Sequence, residues 1–177
     1  MPELWIEVAA KTGIPELRIT TREEPDYDRL MRRRLRILRR NSLKLRDIQK
    51  VIEKIDPLPG ARAFLDALRE RVQVIILSDT YYEFMPSMMR KLGRPTLFCN
   101  SLETDSAGYI KAYQLRQKHG KEKAVRALKG IGFEVRAAGD SYNDISMLRA
   151  ADRGVLFNPP PLIAREFPEF AVTRTYP

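Results

Sequence analysis

A chain of 177 residues can hold one core of ordinary size with a small inserted subdomain, and two full domains would be crowded. Apolar residues at 44% and charged residues at 31% are normal for a folded protein, so wholesale disorder is excluded. The net charge of +9 is the compositional oddity, and it is concentrated in Arg29, Arg32, Arg33, Arg34, Arg36, Arg39 and Arg40.

No apolar run approaches the roughly 18 residues that a bilayer span needs, and Met1-Pro2-Glu3-Leu4-Trp5 has neither a basic start nor a cleavable apolar stretch. The expectation is a cytoplasmic protein with no membrane partner. Cys99 is the single cysteine and His119 the single histidine, so neither an internal disulfide nor a Cys/His zinc cluster can form. Any metal must be held by oxygen, which favours Mg²⁺ or Ca²⁺.

In chain order, Leu4, Ile6, Val8 and Ala9 mark a helix that ends at Gly13 and Pro15, and residues 16–25 read as a polar loop. A helix over 26–40 follows, with Tyr27, Leu30, Met31, Leu35 and Leu38 on one face. Six of the arginines take the opposite face and read as solvated. Nucleic-acid binding is the rival reading of that face, but no aromatic residues are interleaved and no binding motif accompanies it.

Arg34 falls in the middle of the apolar stripe instead. A buried guanidinium needs a negative partner, either an internal carboxylate or an anionic ligand. A second helix carries Leu45, Ile48, Val51, Ile52 and Ile55, and Pro57-Leu58-Pro59-Gly60 marks a boundary.

Beyond it, helices and short apolar strands alternate. Residues 61–69 read as a helix, 72–77 as a strand buried on both faces, 81–92 as a helix and 96–99 as a strand. Asp105-Ser106-Ala107-Gly108 predicts a hairpin turn between Leu102 and Tyr109. A helix over 121–129, a strand over 134–138, a helix over 141–150, a strand over 154–157 and a last strand over 171–173 complete the pattern. The alternation predicts an α/β fold with a parallel sheet covered on both faces, and the helices over 26–55 form a helical cap set into it.

Chemistry in such sheets gathers at the carboxyl ends of strands. At the first polar strand end, Ser78-Asp79-Thr80 offers hydroxyls and helix-start N–H groups to a phosphate, or simply caps a helix. At the second, Gly139-Asp140-Ser141-Tyr142-Asn143-Asp144 sets two carboxylates one helical turn apart, suited to Mg²⁺ beside a phosphate; Ser141 and Asp144 also have capping-box spacing. Lys121 opens the helix that leads into this strand and is placed to neutralise a transferring phosphoryl group.

Leu77-Ser78-Asp79-Thr80, Lys121 and Gly139-Asp140-Ser141-Tyr142-Asn143-Asp144 resemble, in order, motifs II, III and IV of the haloacid dehalogenase superfamily. The cap helix around Tyr27-Asp28-Arg29-Leu30-Met31-Arg32-Arg33-Arg34-Leu35 resembles that of phosphoserine phosphatases, especially the bacterial branch with phosphoserine:homoserine phosphotransferase activity. The likeness runs along essentially the whole chain.

The resemblance implies a Rossmannoid core with residues 1–13 at its start, a helical cap over 14–57 and the rest of the core over 58–177. It implies a Mg²⁺-dependent phosphomonoester hydrolase acting on a small phosphorylated amino acid, as a monomer or homodimer. Ser78 and Lys121 would hold the phosphate, Asp140 would ligate Mg²⁺ with Asp144 supporting it, Asn143, Asp79 and Thr80 would line the substrate, and Arg34 would bind its carboxylate.

Family members carry the nucleophilic aspartate on a central strand just upstream of a segment like Pro2-Glu3-Leu4-Trp5. That strand and its motif are expected to be missing here, through a misassigned start or a degraded copy. The rival expectation for the chain is a catalytically dead module that binds phosphorylated small molecules.

Overall fold

The computed structural model describes residues 4–20, 23–24 and 26–176, so expectations resting on residues 1–3, 21–22, 25 and 177 lie outside it. The chain divides into two units, Met1–Arg116 and Gln117–Pro177.

In the first unit α1 (Leu4–Thr12) buries Val8 and Ala9. A short 3-10 turn follows at Pro15–Arg18, where the sequence predicted loop, because Leu17 reaches the core and is fully buried. Helix α2 (Tyr27–Arg40) opens at Asp26, whose side chain accepts a hydrogen bond from the Arg29 N–H at 3.0 Å. The helical-wheel reading holds: Leu30, Met31, Arg34 and Leu38 are buried, while Arg29, Arg32, Arg33, Arg36, Arg39 and Arg40 are exposed.

Helix α3 (Leu45–Glu53) adds Ile48 and Ile52 to one cluster with Val8, Leu17, Met31 and Leu38. Helix α4 (Ala61–Arg69) is amphipathic in sequence, yet none of its residues is fully buried.

Strand β1 spans Ile75–Tyr81, later than the predicted 72–77, and Val72 is exposed. The predicted helix over 81–92 also starts late: Tyr82–Phe84 is a 3-10 turn and α5 covers only Pro86–Lys91. Pro86 accounts for the late start, since it lacks an N–H and fits the first turn of a helix but not its interior. Strand β2 (Thr96–Thr104) runs parallel to β1 and continues beyond the predicted 96–99 into an antiparallel hairpin with β3 (Ile110–Gln114).

The hairpin turn is the predicted one. Asp105 Oδ1 accepts from the N–H groups of Ala107 (3.0 Å) and Tyr109 (2.9 Å), and Gly108 takes the left-handed φ of +85° that the turn requires.

The second unit contains α6 (Gly120–Gly130), β4 (Arg136–Gly139), α7 (Ile145–Ala150), β5 (Arg153–Phe157), α8 (Pro161–Glu166) and β6 (Ala171–Thr173). Its sheet is parallel in the order β4-β5-β6, and Leu156 on β5 is buried, as are Val125, Leu148 and Ile163 on the helices of the unit. Helix α8 has no counterpart in the sequence reading. The fold is α/β with parallel pairing, as expected, in two three-stranded sheets in which β1 and β4 each occupy an edge. The edge position explains why Ile75, Ile76 and Leu77, expected to be buried on both faces, are only half-buried.

Candidate active site

In the first unit, Ser78, Asp79 and Thr80 sit at a bulge of β1. Leu77 pairs with Phe98 and Tyr81 with Asn100, so these three residues answer the single Cys99 of β2 and leave the ladder. They therefore lie within a strand and not at the predicted helix start, because β1 resumes pairing at Tyr81. Ser78 Oγ accepts from the Thr80 N–H at 3.3 Å. Asn100, a buried residue without a role in the sequence reading, donates from Nδ2 to the Asp79 carbonyl at 3.1 Å and fixes the bulge. Thr80 Oγ1 is buried and has no hydrogen-bond partner among the described residues, which leaves a polar atom at the bulge for a ligand.

Arg34 belongs to the same unit and is 6% exposed. Its guanidinium donates to the Ile19 carbonyl at 2.7 Å, touches Met31 Sδ at 3.6 Å and lies 4.5 Å over the Trp5 ring. An aromatic face beneath a guanidinium holds it without consuming its donors. Tyr27, on the same helix as Arg34, is hydrogen-bonded through its hydroxyl to Tyr81, where β1 resumes pairing after the bulge. The sequence reading places Tyr27 only in the apolar stripe and gives Tyr81 and Trp5 no part in the site. Tyrosine hydroxyls in an otherwise aliphatic stripe were the available signal.

The second unit assembles Lys121, Asp140, Asn143 and Asp144. Lys121 Nζ donates to Asp144 Oδ1 at 2.7 Å, with the two side chains 14% and 8% exposed. Asp144 Oδ2 accepts from the N–H groups of Asp140 (3.1 Å) and Ser141 (3.2 Å) and from Ser141 Oγ (2.9 Å). The capping box of Ser141 and Asp144 is therefore formed, and it doubles as the support for Lys121. The single Ser141 hydroxyl proton is shared between Asp144 Oδ2 and Asn143 Oδ1.

Burial alone would raise the pKa of Asp144, but Lys121 and the donors around it outweigh burial and hold the carboxyl below the ordinary aspartate range. Asp140 goes the other way: burial first, then the negative charge of Asp144, push it up against the pull of Lys121. A half-buried carboxylate beside a second one is stabilised by a cation.

The donor set fits Mg²⁺ in a limited way. Both oxygens of Asp144 are engaged, so it can act only from behind, whereas the Asp140 carboxylate is bonded only by its own backbone N–H among the described residues. No group of three His, Cys, Asp or Glu side chains among the described residues forms a metal cage. One carboxylate with water and phosphate oxygens completing the shell is a usual Mg²⁺ arrangement.

A family model for haloacid dehalogenase-like hydrolases matches residues 4–152. A phosphoserine phosphatase of Pseudomonas syringae pv. tomato is 54% identical over 99% of the chain and 74% of its own length. The phosphoserine phosphatase ThrH of Pseudomonas aeruginosa is 54% identical over 99% of the chain and 86% of its own length. Among solved structures, a phosphoserine phosphatase in its apo form superposes with a TM-score of 0.72 at 22% identity, covering 96% of this chain and 92% of that one. A phospho-aspartyl intermediate analogue of a phosphoserine phosphatase gives 0.75 at 21%, covering 96% and 85%. With its polar strand ends, its Lys121–Asp144 pair and these likenesses, the chain belongs to the haloacid dehalogenase-like hydrolases.

Proposed function

We propose that this chain carries the binding machinery of a Mg²⁺-dependent hydrolase of small phosphomonoesters, with O-phospho-L-serine as substrate. The observation that carries the reading is the buried Lys121–Asp144 pair beside Asp140, a fixed cation next to a carboxylate whose charge is itself destabilised. Two relatives with 54% identity along the chain, both phosphoserine phosphatases, support the choice of substrate.

In this reading Lys121 neutralises charge on the phosphoryl group. Ser78 and Thr80 donate hydroxyl hydrogen bonds to the phosphate, and Asp79 and Asn143 orient the ester. Arg34 clamps the carboxylate bidentately. Asp140, backed by Asp144, would hold Mg²⁺, which supplies charge neutralisation at the phosphate when bound. The same constellation would serve transfer of the phosphate to homoserine. By the family resemblance, residues 14–57 act as the cap over a core formed by the rest, in a cytoplasmic protein of the serine biosynthetic route.

Among the described acids of the second unit, Asp144 has both oxygens engaged and Asp140 would hold the metal in this reading, so neither is assigned as the nucleophile. By the family resemblance the nucleophile would be an aspartate at the end of a core strand, and among the described residues β1 and β4 each lie at the edge of their own sheet.

The test is phosphate release from O-phospho-L-serine in Mg²⁺. The 177-residue chain is expected to bind the ester without turnover, and a chain extended upstream by a strand ending in aspartate is expected to hydrolyse it. A folded, extended protein that releases no phosphate overturns the catalytic reading. Binding without turnover in both would then assign the chain to a phosphate-ester binding module.

A further inference from the structure

The hydroxyls of Tyr27 and Tyr81 are 2.6 Å apart. Two hydroxyls own two protons, and one hydrogen bond uses one of them, so the accepting phenol keeps an O–H still to be donated. No second hydrogen bond of either hydroxyl occurs among the described residues. A buried donor left unmet costs about 1–3 kcal/mol, so its position needs an acceptor.

Burial decides which phenol faces outward. Tyr81 is 1% exposed on β1, while Tyr27 is half-buried at the start of α2. Tyr81 is clamped by edge-to-face contacts with Phe84 (5.6 Å) and Tyr113 (6.3 Å), so its hydroxyl has one direction in which to point. Either hydroxyl can donate in the shared bond, and the arrangement in which the enclosed Tyr81 donates leaves the other proton on the more exposed phenol. The spare proton then belongs to Tyr27.

Of the two charged groups that act on the Tyr27 phenol, Asp79 and Arg34, Arg34 is the one on its own helix. Tyr27, Met31 and Arg34 share one face of α2, and helical side chains lean toward the helix N-terminus, which brings the guanidinium back over Met31 Sδ at 3.6 Å toward the turn of Tyr27. An aromatic frame closes the circuit: Arg34 lies 4.5 Å over Trp5, Trp5 is 5.9 Å from Phe84, and Phe84 is 5.6 Å from Tyr81. A guanidinium and a phenolic donor held by one rigid frame make a recognition site for an anion with two acceptor oxygens, and a carboxylate has that shape.

We propose that Tyr27 is a specificity residue that donates its hydroxyl proton to the carboxylate of an amino-acid phosphomonoester held by Arg34, with Tyr81 as the residue that positions it. The inference rests on the proposed phosphomonoester reading and adds the group that distinguishes an amino-acid ester from other phosphate esters.

Calorimetric titration of the chain in Mg²⁺ with O-phospho-L-serine and with O-phosphoethanolamine, which lacks the carboxylate, tests it without requiring turnover. The wild type should prefer phosphoserine. Tyr27→Phe should cut that preference about tenfold through phosphoserine alone, as for one hydrogen bond to a charged group. Tyr81→Phe should cut it about threefold in the same sense, since its loss frees the Tyr27 hydroxyl to rotate. Thermal melting confirms that each variant is folded, and if Tyr81→Phe is not, Tyr27→Phe carries the test.

A preference unchanged in folded Tyr27→Phe, or a loss equal for both esters, overturns the inference and leaves the phosphomonoester reading standing. A wild type that binds neither ester, or binds both equally, overturns that reading and the inference with it.

Discussion

Lys121 Nζ and Asp144 Oδ1 lie 2.7 Å apart with both side chains buried, and the second oxygen of Asp144 gathers the N–H groups of Asp140 and Ser141. One carboxylate therefore fixes both the cation and the loop that presents Asp140. Asp144→Ala removes the buried ion pair of Lys121 and the acceptor of the Asp140 and Ser141 N–H groups, and we expect it to destabilise the fold by about 3–5 kcal/mol, read from urea unfolding. The pKa of Asp144 is held below its ordinary value, so its stabilisation is complete above the ordinary aspartate range and lost as the pH falls through the depressed value. The wild-type advantage over Asp144→Asn should be intact at neutral pH and shrink in acid. An advantage that persists to the lowest pH at which both proteins fold would contradict the pairing.

Gly139 carries a prediction of a different kind, because a Cβ placed there would lie 2.5 Å from Asp144 Cβ and 2.7 Å from its Cγ. Asp144 cannot give way, since four hydrogen bonds hold its carboxylate. Gly139→Ala should cost about 1–3 kcal/mol, in the range of overpacked sites, and should displace Asp144 from Lys121. Unfolding together with phosphate binding reads both effects, and a variant as stable as the wild type would show that the strand end relaxes freely.

How much of this was legible in the sequence differs from residue to residue. The wheel of α2 isolated Arg34 because a 3.6-residue period sorts side chains without knowledge of the partner, and the structure buries Arg34 alone among the arginines of that helix. The Asp105 turn was legible because an Asx side chain and a left-handed glycine make a local signal.

Ser78 was placed at a helix start because capping residues look alike in a cap and in a bulge. The bulge depends on register with β2, which is not local information. The start of β1 was misplaced because Val72 and Ile75 have the same propensity, and only pairing decides which belongs to the strand. The Tyr27–Tyr81 bond joins residues far apart in sequence, and no local pattern encodes it.

Arg34 yields a third prediction. Replacing the guanidinium by an uncharged chain of similar length, Arg34→Met, should weaken binding of phosphoserine by about 100-fold while leaving inorganic phosphate binding within twofold, because a bidentate ion pair acts only on the carboxylate. Equal loss for both ligands would mean that Arg34 is a packing residue of α2, braced by Trp5 and the Ile19 carbonyl, and not a ligand group.

The last prediction concerns the tie between α2 and the β2–β3 hairpin. Tyr113 donates its hydroxyl to Asp28 Oδ1 at 2.7 Å, and its ring meets Tyr27 edge to face at 5.8 Å. Burial, and then the charge and hydrogen bond of Asp28, push the Tyr113 phenol up from 10.0 to about 12. A raised folded value means stabilisation that is complete below the ordinary tyrosine pKa and is lost as the pH rises from 10.0 to about 12. Asp28 is shifted down by the same bond, so its share is complete above the ordinary aspartate range and fades only in acid. Wild type and Tyr113→Phe should therefore differ in urea midpoint by a constant amount between neutral pH and about pH 10, and the difference should close toward pH 12. A difference that stayed constant through that alkaline window would show that the ring contact with Tyr27, and not the hydroxyl, ties α2 to the hairpin.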